Sequence, residues 1–177
     1  MPDGAYLSME TKLKDNLETD TSKNRMTHIL GRYEGRASEY YTDFQSNDEA
    51  FMSQPLKYMS KLTHNILGAI DYERVWRVRN ENYDYLDSNL SGYNKLELVT
   101  CESAFAYPFY AKNSFIIRKQ MAKKKLYIPM LWPNVLGCTP EGTLEQDYAA
   151  NILPLPCDQR YGLKDMDTII KALLEFY

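Results

Sequence analysis

Apolar residues recur at helical spacing in the first half of the chain and at its end, and at extended spacing in between. From Ser22 to Phe44 and from Tyr72 to Leu90 they fall at alternating steps of four and three residues, which predicts two amphipathic helices. Asp71 is the expected N-cap of the second helix, and Gly92 is expected to close it. Helices are also predicted over 56–70, 113–125 and 144–151. The last helix carries the cleanest stripe, formed by Met166, Ile169, Ile170, Leu173, Leu174 and Tyr177.

Short extended segments follow the second helix. The pattern predicts strands over Asn94–Val99, Phe105–Tyr110 and Leu126–Met130, and a short extended piece over Ile152–Leu155. Pro108 has no amide hydrogen to donate, so its strand is expected at an edge or a bulge. Helices followed by alternating strands and helices predict an α+β fold. In this fold a small sheet of short strands is covered by helices, and the N-terminal half is helical.

Length and composition predict how this pattern is organised. A chain of 177 residues is long enough for one domain of ordinary size, and 44% hydrophobic with 25% charged residues is too apolar for a disordered segment. Residues 1–23 are polar and charge-rich, which predicts a turn and a flexible connector. We therefore expect a single α+β domain over 24–177.

Hydropathy and cysteine content bear on location. The mean hydropathy is -0.52 and no apolar run approaches the roughly 18 residues of a membrane helix, so we expect no membrane association. The residues after Met1 show neither a basic nor an apolar region of a signal peptide. The three cysteines are widely spaced and odd in number, which favours a reducing compartment. These features predict a cytoplasmic protein.

The net charge is -3, but one segment is basic. Six lysine and arginine side chains and no acidic residue lie between Lys112 and Lys125. Such a segment contacts phosphate or nucleic acid in some proteins, and in many others it is the basic end of a helix. No aromatic platform or nucleic-acid motif accompanies it, so we favour the helix end and expect no nucleic-acid partner.

Residues typical of catalysis are scarce. His28 and His64 are the two histidines, and they lack neighbouring ligands, so no metal site is expected. Gly-rich phosphate loops and a Gly-x-Ser-x-Gly motif are absent. Cys157 is expected to be a small buried thiol rather than a reactive one. The residues alone therefore predict no catalytic group.

Two further features leave alternatives open. Arg79 lies within an aromatic stripe, where burial of its guanidinium requires a partner. We favour an ion pair with a nearby carboxylate over an anionic ligand, and the nearby carboxylates are Asp71, Glu73 and Glu81. A set of aromatic residues is expected to pack in the core or, alternatively, to line a substrate cleft. The set comprises Tyr107, Phe109, Tyr110, Tyr127 and Trp132.

Several segments, in order, resemble the C-terminal part of the DegT/DnrJ/EryC1/StrS family. Members of this family are fold-type-I aminotransferases that depend on pyridoxal phosphate (PLP) and often aminate nucleotide-linked keto-sugars. The segments are 2–7 (PDGAYL), 66–72 (ILGAIDY), 79–83 (RNENY) with Leu86, 106–110 (AYPFY), 117–118 (IR), 126–133 (LYIPMLWP) and 152–162 (ILPLPCDQRYG). Together they span nearly the whole chain.

The resemblance implies a small domain that lacks its own catalytic centre. In the family a large N-terminal domain holds PLP, and the lysine of the internal Schiff base lies shortly before the segment like Pro2-Asp3-Gly4. None of the lysines stands in that context, including Lys12 and Lys14. The chain would therefore have no catalytic or cofactor-binding residue, bind no cofactor alone, and contribute cleft wall and dimer contacts.

The residues that the resemblance places near the substrate cleft are Asp3, Gly4, Tyr6, Tyr127 and Trp132. Its partner would be a second copy or the large domain, and a sugar substrate would bind only with that domain. The alternative is a stand-alone, non-enzymatic binding module that reuses the same fold, with the basic helix or the aromatic set as its binding face.

Overall fold

Helices form about half of the structure, a computed structural model that describes residues 3–11, 16–99 and 101–177. These residues divide into an N-terminal unit that ends at Ile70 and a C-terminal unit from Asp71 to Tyr177. The predicted α+β class is confirmed, since helices accompany one small antiparallel sheet in the described part of the chain. The expectation of a connector up to residue 23 and a single domain after it stays a prediction.

The N-terminal unit contains three α-helices in its described residues, α1 (Thr27–Glu34), α2 (Tyr41–Ala50) and α3 (Lys61–Gly68). Two 3-10 turns, Lys23–Arg25 and Phe51–Ser53, precede α1 and follow α2. Residues before the helices join the unit through a bridge in which the Tyr58 amide donates to Glu18 and the Asp20 amide donates to Tyr58.

The helix predicted from Ser22 to Phe44 is broken between α1 and α2. Gly35 ends α1 in an extended conformation. A Cβ at Gly31 would lie 2.2 Å from the Tyr40 ring, so the missing side chain lets that ring cover α1. Because of this break, the apolar stripe is divided between α1 and α2 instead of continuing along one helix. The helix predicted over 56–70 starts later in the structure. The Ser60 hydroxyl caps the start of α3 by accepting the Thr63 amide at 3.1 Å.

Buried polar groups hold the N-terminal unit together. The Asp3 carboxylate accepts the Ser60 amide at 2.9 Å and the hydroxyl of Thr63. The hydroxyls of Ser22 and Ser60 are 2.6 Å apart. Asp3, Ser22, Ser60 and Thr63 are all buried, and among the described residues of this unit Met26 is the one large apolar side chain buried with them. We call these four residues the polar cluster.

The C-terminal unit is built on α4 (Tyr72–Leu90), which the Asp71 carboxylate caps by accepting the Arg74 amide at 2.9 Å, as predicted. The remaining helices are α5 (Ser114–Lys123), α6 (Val135–Cys138), α7 (Leu144–Asn151) and α8 (Leu163–Leu174). Strands β1 (Ala106–Tyr110) and β2 (Ile152–Pro156) form the antiparallel sheet.

One face of this sheet forms the apolar core with α4, α5 and α8. Tyr107 and Phe109 of β1 lie opposite Leu155 and Leu153 of β2, and all four are fully buried. From the helices Leu86, Leu90, Ile117, Met121, Met166 and Leu173 pack into the same cluster. Burial of this apolar surface is the main source of stability for the unit.

Prolines occupy particular positions in the sheet. Pro108 lies opposite Pro154, and Ala106 lies opposite Pro156. A proline has no amide hydrogen, so these must be the pairs of the ladder that exchange no hydrogen bonds. The prediction of an edge position for Pro108 is confirmed, because both strands of a two-stranded sheet are edges.

The strands predicted over Asn94–Val99 and Leu126–Met130 are wrong, since both segments are irregular in the structure. Side chains occupy the sheet edges at which further strands would pair. At β1 the Asn94 amide group donates to Pro108 O at 2.9 Å and accepts the Tyr110 amide at 3.0 Å. At β2 the Arg118 guanidinium donates to Ile152 O at 2.6 Å.

Candidate binding pocket

An apolar pocket of about 290 Å³ opens beside the sheet of the C-terminal unit. Its strand contribution comes from Ile152 and Pro154, which alternate with the core residues Leu153 and Leu155. Because successive side chains of a strand point to opposite faces, the pocket and the core use the two faces of β2. The full lining is Leu131, Trp132, Val135, Glu145, Tyr148, Ala149, Ile152 and Pro154.

Helix α7 supplies one wall. Glu145, Tyr148 and Ala149 are three and four residues apart, so they share one side of the helix. The ring of Tyr148 meets that of Tyr110 edge to face, with centroids 6.4 Å apart. Tyr110 is itself fixed, because its hydroxyl donates to the Asp147 carboxylate at 3.0 Å. Burial and then this bond raise the pKa of Tyr110, so it remains a neutral donor at neutral pH.

The opposite wall is the irregular segment around Trp132. Trp132 has a φ of 51°, an unusual value for a bulky residue, and it precedes Pro133. Its carbonyl accepts the Val135 amide at 3.0 Å, which begins the short α6. Gln146 of α7 donates to Leu136 O at 3.3 Å and so ties the two walls together. The turn leaves the Trp132 side chain exposed at the pocket.

Arg118 binds the backbone where α7 meets β2. Its guanidinium donates to Ala150 O at 3.1 Å and to Ile152 O at 2.6 Å. Burial lowers the pKa of Arg118. The ordinary pKa of a guanidinium is so high that Arg118 nevertheless stays protonated. Arg118 is the one arginine of the basic segment, and its role is therefore structural. At the end of that segment Lys124 pairs with Glu175 of the C-terminal tail.

The lining is mostly apolar and contains few ionisable groups. Glu145 and Tyr148 are its ionisable members, and none of the eight lining residues is a histidine, cysteine, lysine or arginine. Glu145 is the one carboxylate of the lining, and the nucleophile–base pairs of covalent catalysis require a serine, threonine, cysteine or lysine beside such a base, which the lining does not supply. The pocket can bind an apolar or aromatic group and place a carboxylate beside it.

The structure places the predicted cleft residues in two regions. Trp132 lines the pocket, whereas Tyr127 lies outside the lining and is 76% exposed. Asp3 is buried in the polar cluster, Gly4 adjoins it with a φ of 80°, and Tyr6 is exposed. Asp3 and Gly4 also border an open groove of about 710 Å³ in the N-terminal unit, together with Asp20, His28 and Lys57.

Sequence reasoning missed Glu145, Tyr148 and Val135 as pocket residues. The sequence of α7 does carry a signal, because Glu145 and Tyr148 lie three residues apart and therefore on one side of a helix. Without the position of the Trp132 turn, that pattern does not differ from an ordinary exposed helix face.

The predicted ion pair of Arg79 is wrong. Arg79 donates through Nε to the Gln159 side chain at 2.9 Å and through a terminal nitrogen to Ser103 O at 3.4 Å. Asp71 is used as a helix cap, and Glu81 lies 3.8 Å from Arg77. Neutral oxygen acceptors thus satisfy the guanidinium in place of a carboxylate.

The loop that Arg79 reaches, 157–162, is held from α4. The buried Asn82 side chain donates to the carbonyls of Cys157, Asp158 and Tyr161 at 3.2, 3.3 and 3.0 Å. Cys157 is buried as expected, and burial raises the pKa of its thiol to about 11, so it is protonated at neutral pH. Burial alone would raise the pKa of Asp158, but the bonds from Arg160 outweigh it and lower that pKa.

Two negative findings concern the described residues. They contain no group of three or more histidine, cysteine, aspartate or glutamate side chains arranged to hold a metal ion. None of their helices has the length and apolar character required to cross a bilayer. Comparisons with protein-family models, with curated proteins and with solved structures give no match to this chain.

Proposed function

We propose that the chain serves as the small C-terminal domain of a PLP-dependent sugar aminotransferase of the DegT/DnrJ/EryC1/StrS type. In this role it lines the substrate cleft and contributes dimer contacts, while a large domain holds the cofactor. Its substrate would be a nucleotide-linked keto-sugar.

The observation that carries the proposal is the contact among the segments on which the resemblance depends. The segment 106–110 pairs with 152–156 as β1 and β2. Arg79 and Asn82 of the segment 79–83 bond to Gln159 and to the carbonyls of 157–161. Arg118 of the segment 117–118 bonds to Ile152 O. These contacts hold four of the segments in one packed unit, as the proposal requires.

The lysines of the described residues bear on the cofactor part of the proposal. When bound, PLP supplies an electron sink, and an enzyme lysine holds it as an imine. Every lysine from Asp71 onward is exposed, and the pocket lining contains none. Lys57 is half-buried in the N-terminal unit, 3.9 Å from Asp20, and Lys12 and Lys14 lie outside the described residues.

The cofactor part of the proposal is tested by adding PLP to the purified chain and recording its visible spectrum. We expect no stoichiometric imine band. The comparison of Lys57→Arg with the exposed Lys61→Arg supplies a matched pair. A one-to-one band that is lost in one lysine variant and kept in the others would show that the chain holds the cofactor itself, which overturns the proposed division of roles.

The substrate part is tested on the coding DNA upstream of Met1. We expect it to encode a large domain with a Schiff-base lysine. The joined protein should transfer the amino group of glutamate to a nucleotide-linked keto-sugar, measured as 2-oxoglutarate formed. In that protein Trp132→Ala should raise KM, whereas Trp76→Ala, on a different surface, should not. An unrelated gene upstream, or a joined protein without amine transfer, would contradict the proposal.

The second candidate is a stand-alone binding module. The pocket beside β2 favours it, because the pocket is complete within the C-terminal unit. An unrelated upstream gene together with ligand binding by the isolated chain would support this alternative.

A further inference from the structure

The pocket beside β2 combines two aromatic rings with one carboxylate. Trp132 and Tyr148 supply the rings, and Glu145 supplies the charge. The remaining lining residues are aliphatic, and none carries a positive charge. This composition restricts the kind of ligand that the pocket can accept.

The charge of the lining residues determines whether the pocket favours an anionic or a cationic ligand. A phosphate or carboxylate group entering the pocket would meet Glu145 and would find no cation among the lining residues. Arg118 offers no substitute, because it is not among the lining residues and its two terminal nitrogens donate to Ser114, Ala150 and Ile152. Asp147 lies behind Tyr148 in the same helix and accepts the Tyr110 hydroxyl, so the charge around this wall is negative as well.

The rings reinforce this preference. The face of an indole or phenol ring attracts a cation within about 6 Å of its centroid. Aromatic rings recognise organic ammonium ions in this way, and a neighbouring carboxylate adds an attraction between opposite charges. The positive φ of Trp132 sets the direction in which the larger of the two rings leaves the backbone.

We propose that the pocket formed by Trp132, Glu145 and Tyr148 binds a small organic cation, an ammonium group carried on an apolar body. The apolar body lies against Leu131, Val135 and Ile152, and the ammonium group faces Glu145 and the rings. This goes beyond the proposed function, because the pocket lies within the C-terminal unit and needs neither PLP nor a large domain.

The test uses three probes of one shape and different charge: benzylammonium, benzyl alcohol and benzoate. The protein carries Trp76→Phe, so that Trp132 is its one tryptophan and reports binding by fluorescence. We expect benzylammonium to bind with about millimolar affinity, benzyl alcohol more weakly, and benzoate most weakly.

A variant pair then assigns the charge. Glu145→Gln should weaken benzylammonium binding about threefold to fivefold and leave benzyl alcohol unchanged, as the loss of one exposed charge predicts. Glu141→Gln, a nearby exposed carboxylate outside the lining, is the matched control and should change neither. Circular dichroism verifies that each variant is folded.

Three results would overturn the proposal. One is binding of benzoate as tight as that of benzylammonium, which needs no variant to observe. The second is a fluorescence signal that none of the probes changes. The third is an equal loss of affinity in Glu145→Gln and Glu141→Gln. Amine transfer enters none of these measurements, so this inference and the proposed function fail independently.

Discussion

The two units of the chain are stabilised in different ways. In the C-terminal unit the buried side chains are mostly apolar and form one cluster that extends from Tyr83 to Leu173. In the described part of the N-terminal unit Met26 is the one large apolar side chain that is buried, and the polar cluster takes the place of a core. Apolar packing is insensitive to pH, whereas buried carboxylates and imidazoles are not. The two units should therefore respond differently to the same perturbation.

The largest expected effect is the loss of a core ring in the C-terminal unit. Phe109 is fully buried and meets the ring of Tyr177 at 5.7 Å, so Phe109→Ala leaves a cavity and should cost about 3–5 kcal/mol. Hydrogen exchange measured by mass spectrometry should show faster exchange in peptides of 71–177. Phe105→Ala, at a position that is 72% exposed, is the control and should change stability by less than about 0.5 kcal/mol. Similar effects of the two variants would contradict the assignment of the core.

A smaller effect is expected in the polar cluster. Asp3→Asn keeps the shape of the side chain but replaces one of its two acceptor oxygens by an NH2 donor, so the Ser60 amide and the hydroxyls of Thr63 and Ser60 can no longer all donate to it. The loss of one buried acceptor should cost about 1–3 kcal/mol. Hydrogen exchange should accelerate in peptides around α3. Asp48→Asn is the control, because Asp48 is an exposed acid of the same unit. Unchanged exchange in Asp3→Asn would show that the cluster does not stabilise this unit.

The smallest effect concerns acid sensitivity. Burial lowers the pKa of His28, the charge of Arg32 adds to this, and Asp43 partly opposes it. The folded unit therefore keeps the imidazole neutral where the unfolded chain would protonate it. The stability that follows is complete above the ordinary pKa of about 6.5 and is lost as the pH falls below it.

The measurement is urea unfolding between pH 7 and 5, followed by hydrogen exchange in each unit. We expect the N-terminal unit to weaken first, because both histidines of the chain precede residue 71. His28→Gln should remove this pH dependence, and the exposed His64→Gln should retain it. Equal weakening of both units over this range would remove the contrast between them.

Sequence reasoning worked best where the chain determines its structure locally. The stripe of α4, its Asp71 cap and the stripe of α8 predict helices in nearly the observed positions, because spacing and capping act within a few residues. It failed where side chains from distant segments decide the outcome. The segments 94–99 and 126–130 have strand-like patterns, but Asn94 and Arg118 occupy the edges at which they would pair.

The candidate pocket was predictable only in part. Trp132 was singled out through the resemblance, and the structure adds Glu145 and Tyr148 beside it. Their proximity depends on the positive φ of Trp132 and on the bond from Gln146 to Leu136. Neither a backbone angle of this kind in a non-glycine residue nor a contact between two irregularly joined helices has a periodic signal in the sequence.

The prolines of the sheet also determine how β1 and β2 find their alignment. The strands are far apart along the chain, so no tight turn fixes which residues pair. If β2 slipped by one residue, Pro154 and Pro156 would enter positions that require an amide hydrogen, and ladder bonds would be lost. The same slip would turn Leu153 and Leu155 out of the core. Backbone and side chains thus reject a one-residue slip together, which excludes the nearest alternative alignment of this two-stranded sheet.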